Sequence, residues 1–289
     1  MPGKTTSITF IKEQLSARNF APRKSLGQNF LTDENILLKI VAAGDLGKDD
    51  VVLEIGPGLG ALTEKLLELS KWVVAIEYDR GLFTILHERF DNFSNLVLLN
   101  QDVLATDLAG VLKDYAGGDF HFKVLANLPY YITTPIIFQL IESGLPWKGM
   151  VFLVQKEVAN RLLAGPGTKE YGALTVMLNF YGKTTKIGNV PKTVFYPIPQ
   201  VDSTIIRIDP YERQDFVIYP YLHRVVQAAF GQRRKTILNA LMSLGKSFGD
   251  KESIAELLRK FQINPLQRGE TLSIKEFLSI AEELQIRSS

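Results

Sequence analysis

The chain has 289 residues, of which 46% are hydrophobic and 22% are charged, values typical of a globular protein with a full apolar core. It contains no cysteine, which excludes disulfide bonds and thiolate metal sites, and its three histidines are too scattered to indicate a zinc site. No apolar run reaches the length of a membrane span and the N-terminus lacks the features of a signal peptide, so the sequence predicts a cytoplasmic protein without a metal or a membrane partner.

The net charge of +2 is distributed unevenly along the chain. Residues 1–30 carry five Lys or Arg against one Asp or Glu, residues 31–211 carry 16 against 21, and residues 212–289 carry 12 against 9. Basic ends around an acidic middle are typical of a chain that binds a polyanion with its flanks. Scattered surface charge gives the same pattern, and charge alone favours that simpler interpretation.

The first elements predicted are a helix over residues 8–19 and a second helix that begins at Thr32 or Asp33, both good N-caps. From residue 51 onward, apolar runs typical of buried strands alternate with helical patterns. The predicted strands are 51–55, 72–76, 96–99, 122–126, 150–154 and a closing strand at 204–208. This alternation predicts an α/β fold with a doubly wound parallel sheet.

After residue 210 the strand signal disappears. Helical patterns follow at about 220–230, 233–244, 251–261 and 273–284, the last opened by a capping box of Ser273 and Glu276. The sequence therefore predicts three parts: a basic N-terminal segment, 1–30, that packs on a catalytic domain, 31–210, followed by a smaller all-helical domain, 211–289.

Glycine or polar side chains follow four successive strands of the predicted sheet. Gly56 and Gly58 form a turn after the first strand, and Glu77, Asp102 and Asn127 follow at intervals of 21, 25 and 25 residues. Each acid alone is as easily a solvated loop residue. Because the carboxyl ends of the strands form the ligand crevice of an open α/β sheet, four residues in step predict a binding site there.

Two ligands fit this pattern. Gly56 and Gly58 with Glu77 match the loose fingerprint of a nicotinamide-dinucleotide oxidoreductase. That interpretation leaves Asp102 without a role. S-adenosylmethionine uses every position, with the glycine turn near its methionine and ribose, Glu77 on the ribose hydroxyls and Asp102 on the adenine amine. The residues favour the methyl donor and keep the dinucleotide as an alternative.

The segment Asn127-Leu128-Pro129-Tyr130 follows the fourth of these strands, at 122–126. An amide, carbonyls beside a proline and an aromatic ring have the chemistry to hold a planar base, because the oxygens accept from an exocyclic amine and the ring stacks. A plain turn is the alternative, since an asparagine near a proline is a common turn signal.

Taken in order, these motifs resemble those of the KsgA-type 16S rRNA adenine dimethyltransferases. The matching segments are residues 26–31, 54–60, 76–79, 102–104, 127–130 with 134–135, 155–161, 195–203 and 233–236. The nearest alternative in the same fold is the macrolide-resistance type, which dimethylates 23S rRNA. Residues 134–135, residues 155–161 and the long helical C-terminal region favour the 16S type.

The resemblance implies a Rossmann-like methyltransferase that dimethylates N6 of two adjacent adenines near the 3′ end of 16S rRNA. It implies a monomer that acts on the 30S subunit or its precursor in ribosome biogenesis. A non-catalytic assembly factor is a further alternative, disfavoured by the intact motifs. The implied donor contacts, with the glycine turn included, are Asn29, Leu31, Gly56, Gly58, Glu77, Asp102 and Asn127.

The mechanism expected from these residues rests on positioning. Asn127 Oδ1 and the Leu128 carbonyl accept from the adenine amine, Tyr130 stacks on one face of the base, and Phe195 closes the other. No general base is needed, because the methylated nitrogen loses its proton to water. Expected contacts to rRNA phosphates, with plain exposed charge as the alternative, are Arg23, Lys24, Arg233, Arg234 and Lys235.

Overall fold

A computed structural model of the chain describes residues 5–23, 26–116, 121–212, 216–232, 234–245 and 248–288. The chain forms two compact units. The first contains Met1–Ala159 and Thr185–Pro210, and the second contains Asn160–Thr184 and Tyr211–Ser289. The three functional parts expected from the sequence, with boundaries at residues 30 and 210, stay a prediction.

A seven-stranded sheet forms the centre of the first unit. The strands of the chain are β1 (Phe30–Leu31), β2 (Val51–Ile55), β3 (Trp72–Ile76), β4 (Leu96–Leu99), β5 (Phe122–Asn127), β6 (Trp147–Gln155), β7 (Gly182–Val190), β8 (Phe195–Tyr196) and β9 (Ser203–Pro210). The sheet has the order β4-β3-β2-β5-β6-β9-β7, parallel from β4 to β6, with β9 antiparallel to β6. Strands β1 and β8 pair separately and antiparallel. The predicted doubly wound, Rossmann-like sheet is confirmed.

Helices lie between the parallel strands, before them and after the last strand of the sheet. They are α1 (Ile8–Ser16), α2 (Glu34–Gly44), α3 (Ala61–Leu69), α4 (Arg80–Phe90), α5 (Leu108–Ala116), α6 (Thr133–Glu142), α7 (Lys156–Leu162), α8 (Ala173–Tyr181), α9 (Tyr219–Gly231), α10 (Ile237–Leu241), α11 (Lys251–Lys260) and α12 (Ile274–Ser288). Asp33 caps α2 through the Asn35 and Ile36 N–H groups, as the sequence predicts. Among the described residues, no helix has the length and apolar character needed to cross a membrane.

The core of the first unit forms where the parallel strands are covered on both faces. Every residue of β2 is buried, as expected for a central parallel strand. A second apolar cluster holds α1 against the loop after β2 and against α4. Its buried members are Ile11, Leu15, Phe30, Leu59, Leu82 and Ile85. The cluster therefore brings the N-terminal helix to the carboxyl ends of the strands.

The second unit has an aromatic and apolar core of its own. Phe230 of α9 lies between Tyr171, with ring centroids 6.0 Å apart, and Phe277 of α12, at 5.9 Å. The buried Tyr171 hydroxyl donates to the Leu272 carbonyl at 2.8 Å. These contacts attach the segment before α8 to the C-terminal helices. The helical C-terminal region is confirmed.

Candidate active site

A cavity opens at the carboxyl ends of β2, β3 and β5. Eight of the predicted site residues line it, namely Asn29, Leu31, Gly56, Gly58, Glu77, Asn127, Leu128 and Tyr130. Further lining residues include Thr5 and Ile11 of the N-terminal region, together with Glu54, Tyr78 and Tyr131. The parallel register explains the convergence, because adjacent strands end side by side at one edge of the sheet.

The glycine turn after β2 brings the backbone close to the cavity. Gly56 and Gly58 have φ values of +67° and +64°, which glycine adopts without strain. A Cβ atom on Gly58 would lie 3.3 Å from the Phe30 ring. The Gly58 N–H donates to Glu77 Oε2 at 3.1 Å. The turn and the acid after β3 thus form one connected surface.

Glu77 is a buried carboxylate, 5% exposed. Its Oε1 accepts from the Asp79 N–H at 2.8 Å, and burial, only partly offset by the backbone N–H donors, raises its pKa to about 7. A buried acceptor of this kind is well suited to hydroxyl groups of a bound ligand.

Glu54, within β2, is a cavity residue that the sequence analysis did not single out. It is 1% exposed, and none of the described residues gives its Oε2 a hydrogen-bond partner. Burial raises the pKa of Glu54 to about 8, the charge of Glu77 adds to the rise, and Thr63 beside it offsets part of it. A buried oxygen without a partner, on the wall of a cavity, indicates a place for a donor group of a ligand.

Asn127 is held by the N-terminal segment. Its Nδ2 donates to the Asn29 carbonyl at 3.1 Å. Because a carbonyl only accepts, this contact orients the amide and leaves Oδ1 as its acceptor. The Pro129 carbonyl accepts from the Ile132 N–H and the Thr133 hydroxyl, so the Leu128 carbonyl is the backbone acceptor beside Asn127.

Tyr130 is tied to the start of β9. Its hydroxyl lies 3.0 Å from Ser203 Oγ, and Ser203 is fully buried. Burial raises the pKa of the Tyr130 phenol. The bond joins residues 73 positions apart and holds the ring in one orientation at the cavity.

Phe195 and Asp102 are described residues outside the cavity lining. Phe195 pairs with Leu31 across β1 and β8, is 2% exposed and packs in the core. Asp102 is exposed, and its Oδ1 accepts from the Leu104 N–H at 2.9 Å. Their expected roles at the base and at the donor adenine stay predictions.

The basic residues fall into two groups. Arg23, whose side chain is 62% exposed, lies 3.4 Å from the buried Asp79 carboxylate. Arg234 and Lys235 are exposed in the second unit, where the neighbouring Thr236 forms an antiparallel bridge with the exposed Arg268. Lys24 and Arg233, also expected to bind RNA, lie outside the described residues.

The chemistry of the cavity is that of hydrogen-bond acceptors and aromatic rings. In the described ranges no group of three or more His, Cys, Asp or Glu side chains is placed to hold a metal ion. Two buried carboxylates, an oriented amide and a tethered tyrosine can receive a nucleoside-like ligand on one side and a base on the other.

Comparison with known proteins gives the family. A model of the ribosomal RNA adenine dimethylase family matches residues 19–285. Ribosomal RNA small subunit methyltransferase A of Geobacillus sp. (strain WCH70) is 44% identical over 290 residues, covering 98% of this chain and 97% of that protein. A crystal structure of a dimethyladenosine transferase from Plasmodium falciparum is 29% identical, with a TM-score of 0.76, covering 89% of this chain and 98% of that one.

A crystal structure of the 23S rRNA methyltransferase ErmE shares the fold at 23% identity, with a TM-score of 0.68, and covers 89% of this chain and 99% of that one. The family and fold imply S-adenosylmethionine as the methyl donor, and they exclude the dinucleotide oxidoreductase considered from the sequence. The chain is a methyltransferase that belongs to the ribosomal RNA adenine dimethylase family.

Proposed function

We propose that this enzyme dimethylates N6 of two adjacent adenines near the 3′ end of 16S rRNA, in the 30S subunit or its precursor. It acts as a cytoplasmic monomer in ribosome biogenesis. The 44% identity to a protein named for the small subunit, against 23% to a 23S enzyme, supports the choice of 16S rRNA. The observation that carries the proposal is the orientation of the Asn127 amide.

The Asn29 carbonyl occupies Asn127 Nδ2 and leaves Oδ1 to accept a hydrogen from the adenine amine. The Leu128 carbonyl accepts the second hydrogen, so two fixed oxygens set the directions of both N6–H bonds. The N6 lone pair is thereby drawn out of conjugation with the ring and aimed at the donor. Tyr130, tethered to Ser203, supplies a stacking face for the base.

Methyl transfer then depends on the alignment of N6 with the donor methyl group and needs no general base. The donor supplies an electrophilic methyl group: N6 forms the new N–C bond, the C–S bond breaks with its electron pair left on sulfur, and the N6 proton passes to water. A second cycle repeats these bond changes on the same nitrogen, which then has one hydrogen and donates it to one of the two oxygens. The residues of this chain hold the nitrogen in line and exclude competing orientations.

On the donor side, Glu77 accepts from the ribose hydroxyls, Asp102 accepts from the adenine amine, and the turn at Gly56 and Gly58 passes beside the ribose and methionine. Glu54 extends this set. Its buried Oε2 lacks a partner among the described residues and lies on the cavity wall, where it is suited to the amino group of the methionine portion.

The direct test is mass spectrometry of rRNA after incubation of purified protein with labelled donor and 30S particles from unmethylated ribosomes. Dimethyladenosine at two adjacent positions of 16S rRNA is the expected product. Parallel reactions with 50S particles address the 23S alternative. Label in 23S rRNA alone would overturn the proposed substrate, and label in neither would overturn the proposed activity.

Replacing Ser203 with alanine is expected to lower the rate of methyl transfer about three- to tenfold, the effect of losing one hydrogen bond that restrains the Tyr130 ring. S-Adenosylhomocysteine affinity should stay within about twofold, because Ser203 does not line the cavity. Single-turnover rates and calorimetry measure the two quantities. Tyr130→Phe, which keeps the ring and removes the other half of the bond, is the matched variant and should lower the rate to a similar extent. A wild-type rate in both variants would contradict a role for this hydrogen bond.

We also propose that Arg234, Lys235 and Arg268 form a basic surface that binds rRNA phosphates. The bridge between Thr236 and Arg268 brings the third cation to the two found from the sequence. All three residues are exposed, so their charges are accessible to a polyanion. All three residues belong to the second unit.

Alanine at both Arg234 and Lys235 is expected to weaken 30S binding and to reduce the slope of log affinity against log salt by about 1–2, since each lost phosphate contact removes somewhat less than one unit. Binding is measured by filter retention from 50 to 300 mM salt. Alanine at both Lys251 and Lys275, two exposed cations on α11 and α12, is the control for loss of net charge. If the slope of log affinity against log salt were the same in both double variants, Arg234 and Lys235 would be ordinary surface charges that do not bind phosphate.

A further inference from the structure

Two adjacent tyrosines at the cavity have different surroundings. Tyr130 is partly buried and its hydroxyl is engaged by Ser203. Tyr131, the next residue, is 50% exposed and also lines the cavity. Tyr78, which follows Glu77, is 57% exposed and lines the same cavity. Two exposed aromatic rings at one cavity offer an apolar surface of the kind that a ligand can cover.

Hydrogen bonds tie the donor-side segments to one another and to the helix that follows Tyr131. Asn100 Nδ2 donates to the Glu77 carbonyl at 2.8 Å and to the Tyr78 carbonyl at 3.2 Å, which ties the end of β3 to the turn that carries Asp102. Gln139 of α6 donates to the Val103 carbonyl at 3.0 Å, which ties that turn to the helix beginning two residues after Tyr131.

The groups that raise the pKa of Tyr131 lie on the same donor-side segments. Burial raises the pKa of the Tyr131 phenol, and Asp102, Tyr78 and Glu77 raise it further through their charges. These are the residues that the proposed function assigns to the ribose and the adenine of the donor, or that adjoin them.

We propose that Tyr131 contacts the adenine of the methyl donor, with Tyr78 as the facing wall, and that the two neighbouring tyrosines therefore serve different ligands. Tyr130 stacks on the target base and Tyr131 covers the donor. The inference rests on the proposed function and adds a residue to its donor site. An aromatic ring is suited to this place because every purine presents a π-face for stacking.

The test compares calorimetric binding of S-adenosylhomocysteine and of adenosine to wild type, Tyr131→Ala, Tyr131→Phe and Tyr130→Ala. Tyr131→Ala should lower the affinity for both ligands about tenfold. The two losses should be equal because the ligands share the adenine. Phenylalanine keeps the ring and should bind within about twofold of wild type, as should Tyr130→Ala. Tyr211→Ala removes a tyrosine of similar exposure, 49%, in the second unit and controls for general effects.

Unchanged affinity of Tyr131→Ala for both ligands, with a raised KM for 30S particles, would overturn the inference and assign Tyr131 to the RNA. If Tyr131→Ala bound S-adenosylhomocysteine more weakly but adenosine as wild type does, the proposed contact with the adenine would be overturned. Failure of the wild type itself to bind S-adenosylhomocysteine would instead contradict the proposed function.

Discussion

Replacement of Asn127 by alanine is expected to slow methyl transfer by about 100- to 1000-fold, the usual effect of removing one oriented hydrogen-bonding group at a reacting centre. The loss arises because Oδ1 is the acceptor left after Nδ2 has bonded to the Asn29 carbonyl. Without it the adenine amine returns to conjugation with the ring and its lone pair turns away from the donor. Affinity for S-adenosylhomocysteine should fall only a few fold, since Glu77 and the glycine turn remain.

The measurement is a single-turnover rate on 30S particles beside calorimetry with S-adenosylhomocysteine. Asn95→Ala is the matched control, because Asn95 Nδ2 also donates to a main-chain carbonyl, that of Leu67, at 3.2 Å, and the residue is not part of the cavity. Asn95→Ala therefore removes the same side chain and the same kind of amide-to-carbonyl hydrogen bond as Asn127→Ala. A thermal unfolding curve for each variant separates loss of catalysis from loss of structure.

Three outcomes would contradict this role of Asn127. A wild-type rate in Asn127→Ala would remove the amide from the mechanism. A loss of donor affinity as large as the loss of rate would make Asn127 a donor-binding group only. Equal effects in Asn127→Ala and Asn95→Ala would assign the result to general destabilisation.

The sequence pattern predicted the strand ends well, and the reason is physical. Buried parallel strands are continuous apolar runs, so their ends are visible, and the parallel register then places Glu77 and Asn127 at one edge. The same logic failed for β7, Gly182–Val190, because an edge strand with polar residues and two glycines has no apolar run to mark it. Helix α6, Thr133–Glu142, was also missed, since its start overlaps the turn after Tyr130.

Contacts between distant residues left no signal in the sequence. Nothing local links Tyr130 to Ser203 or Asn127 to Asn29, and only folding brings the members of each pair together. Glu54 did carry a signal, because an acid inside the apolar run of β2 is costly to bury without a partner. The sequence pattern alone places Glu54 in a strand and assigns it no role.

Replacement of Glu54 by glutamine is expected to stabilise the ligand-free protein and to weaken donor binding. Burial raises the pKa of Glu54 from 4.5 to about 8. Because the folded-state pKa exceeds the ordinary value, the stability that the protonated Glu54 contributes is fully present below pH 4.5 and is lost as the pH rises through about 8. Glutamine carries no charge and avoids this loss.

The gain should therefore grow with pH. At pH 8.5 the free energy of unfolding of Glu54→Gln should exceed that of wild type by on the order of 1–3 kcal/mol, with almost no difference at pH 4.5. Urea unfolding at several pH values measures it. Glu256→Gln, an exposed position on α11, is the control and should show no pH-dependent gain.

Donor binding should change in the opposite direction. The amino group of the methionine portion favours the ionised carboxylate, so binding to wild type should release a proton, and affinity should increase from pH 6 to 8.5. Glu54→Gln should bind S-adenosylhomocysteine at least about tenfold more weakly, the effect of losing a charge-assisted hydrogen bond. It should keep only the smaller pH dependence that the raised pKa of Glu77, about 7, provides. A variant that is less stable at pH 8.5 and binds the donor as wild type does would show that the Glu54 carboxylate serves the fold and not the ligand.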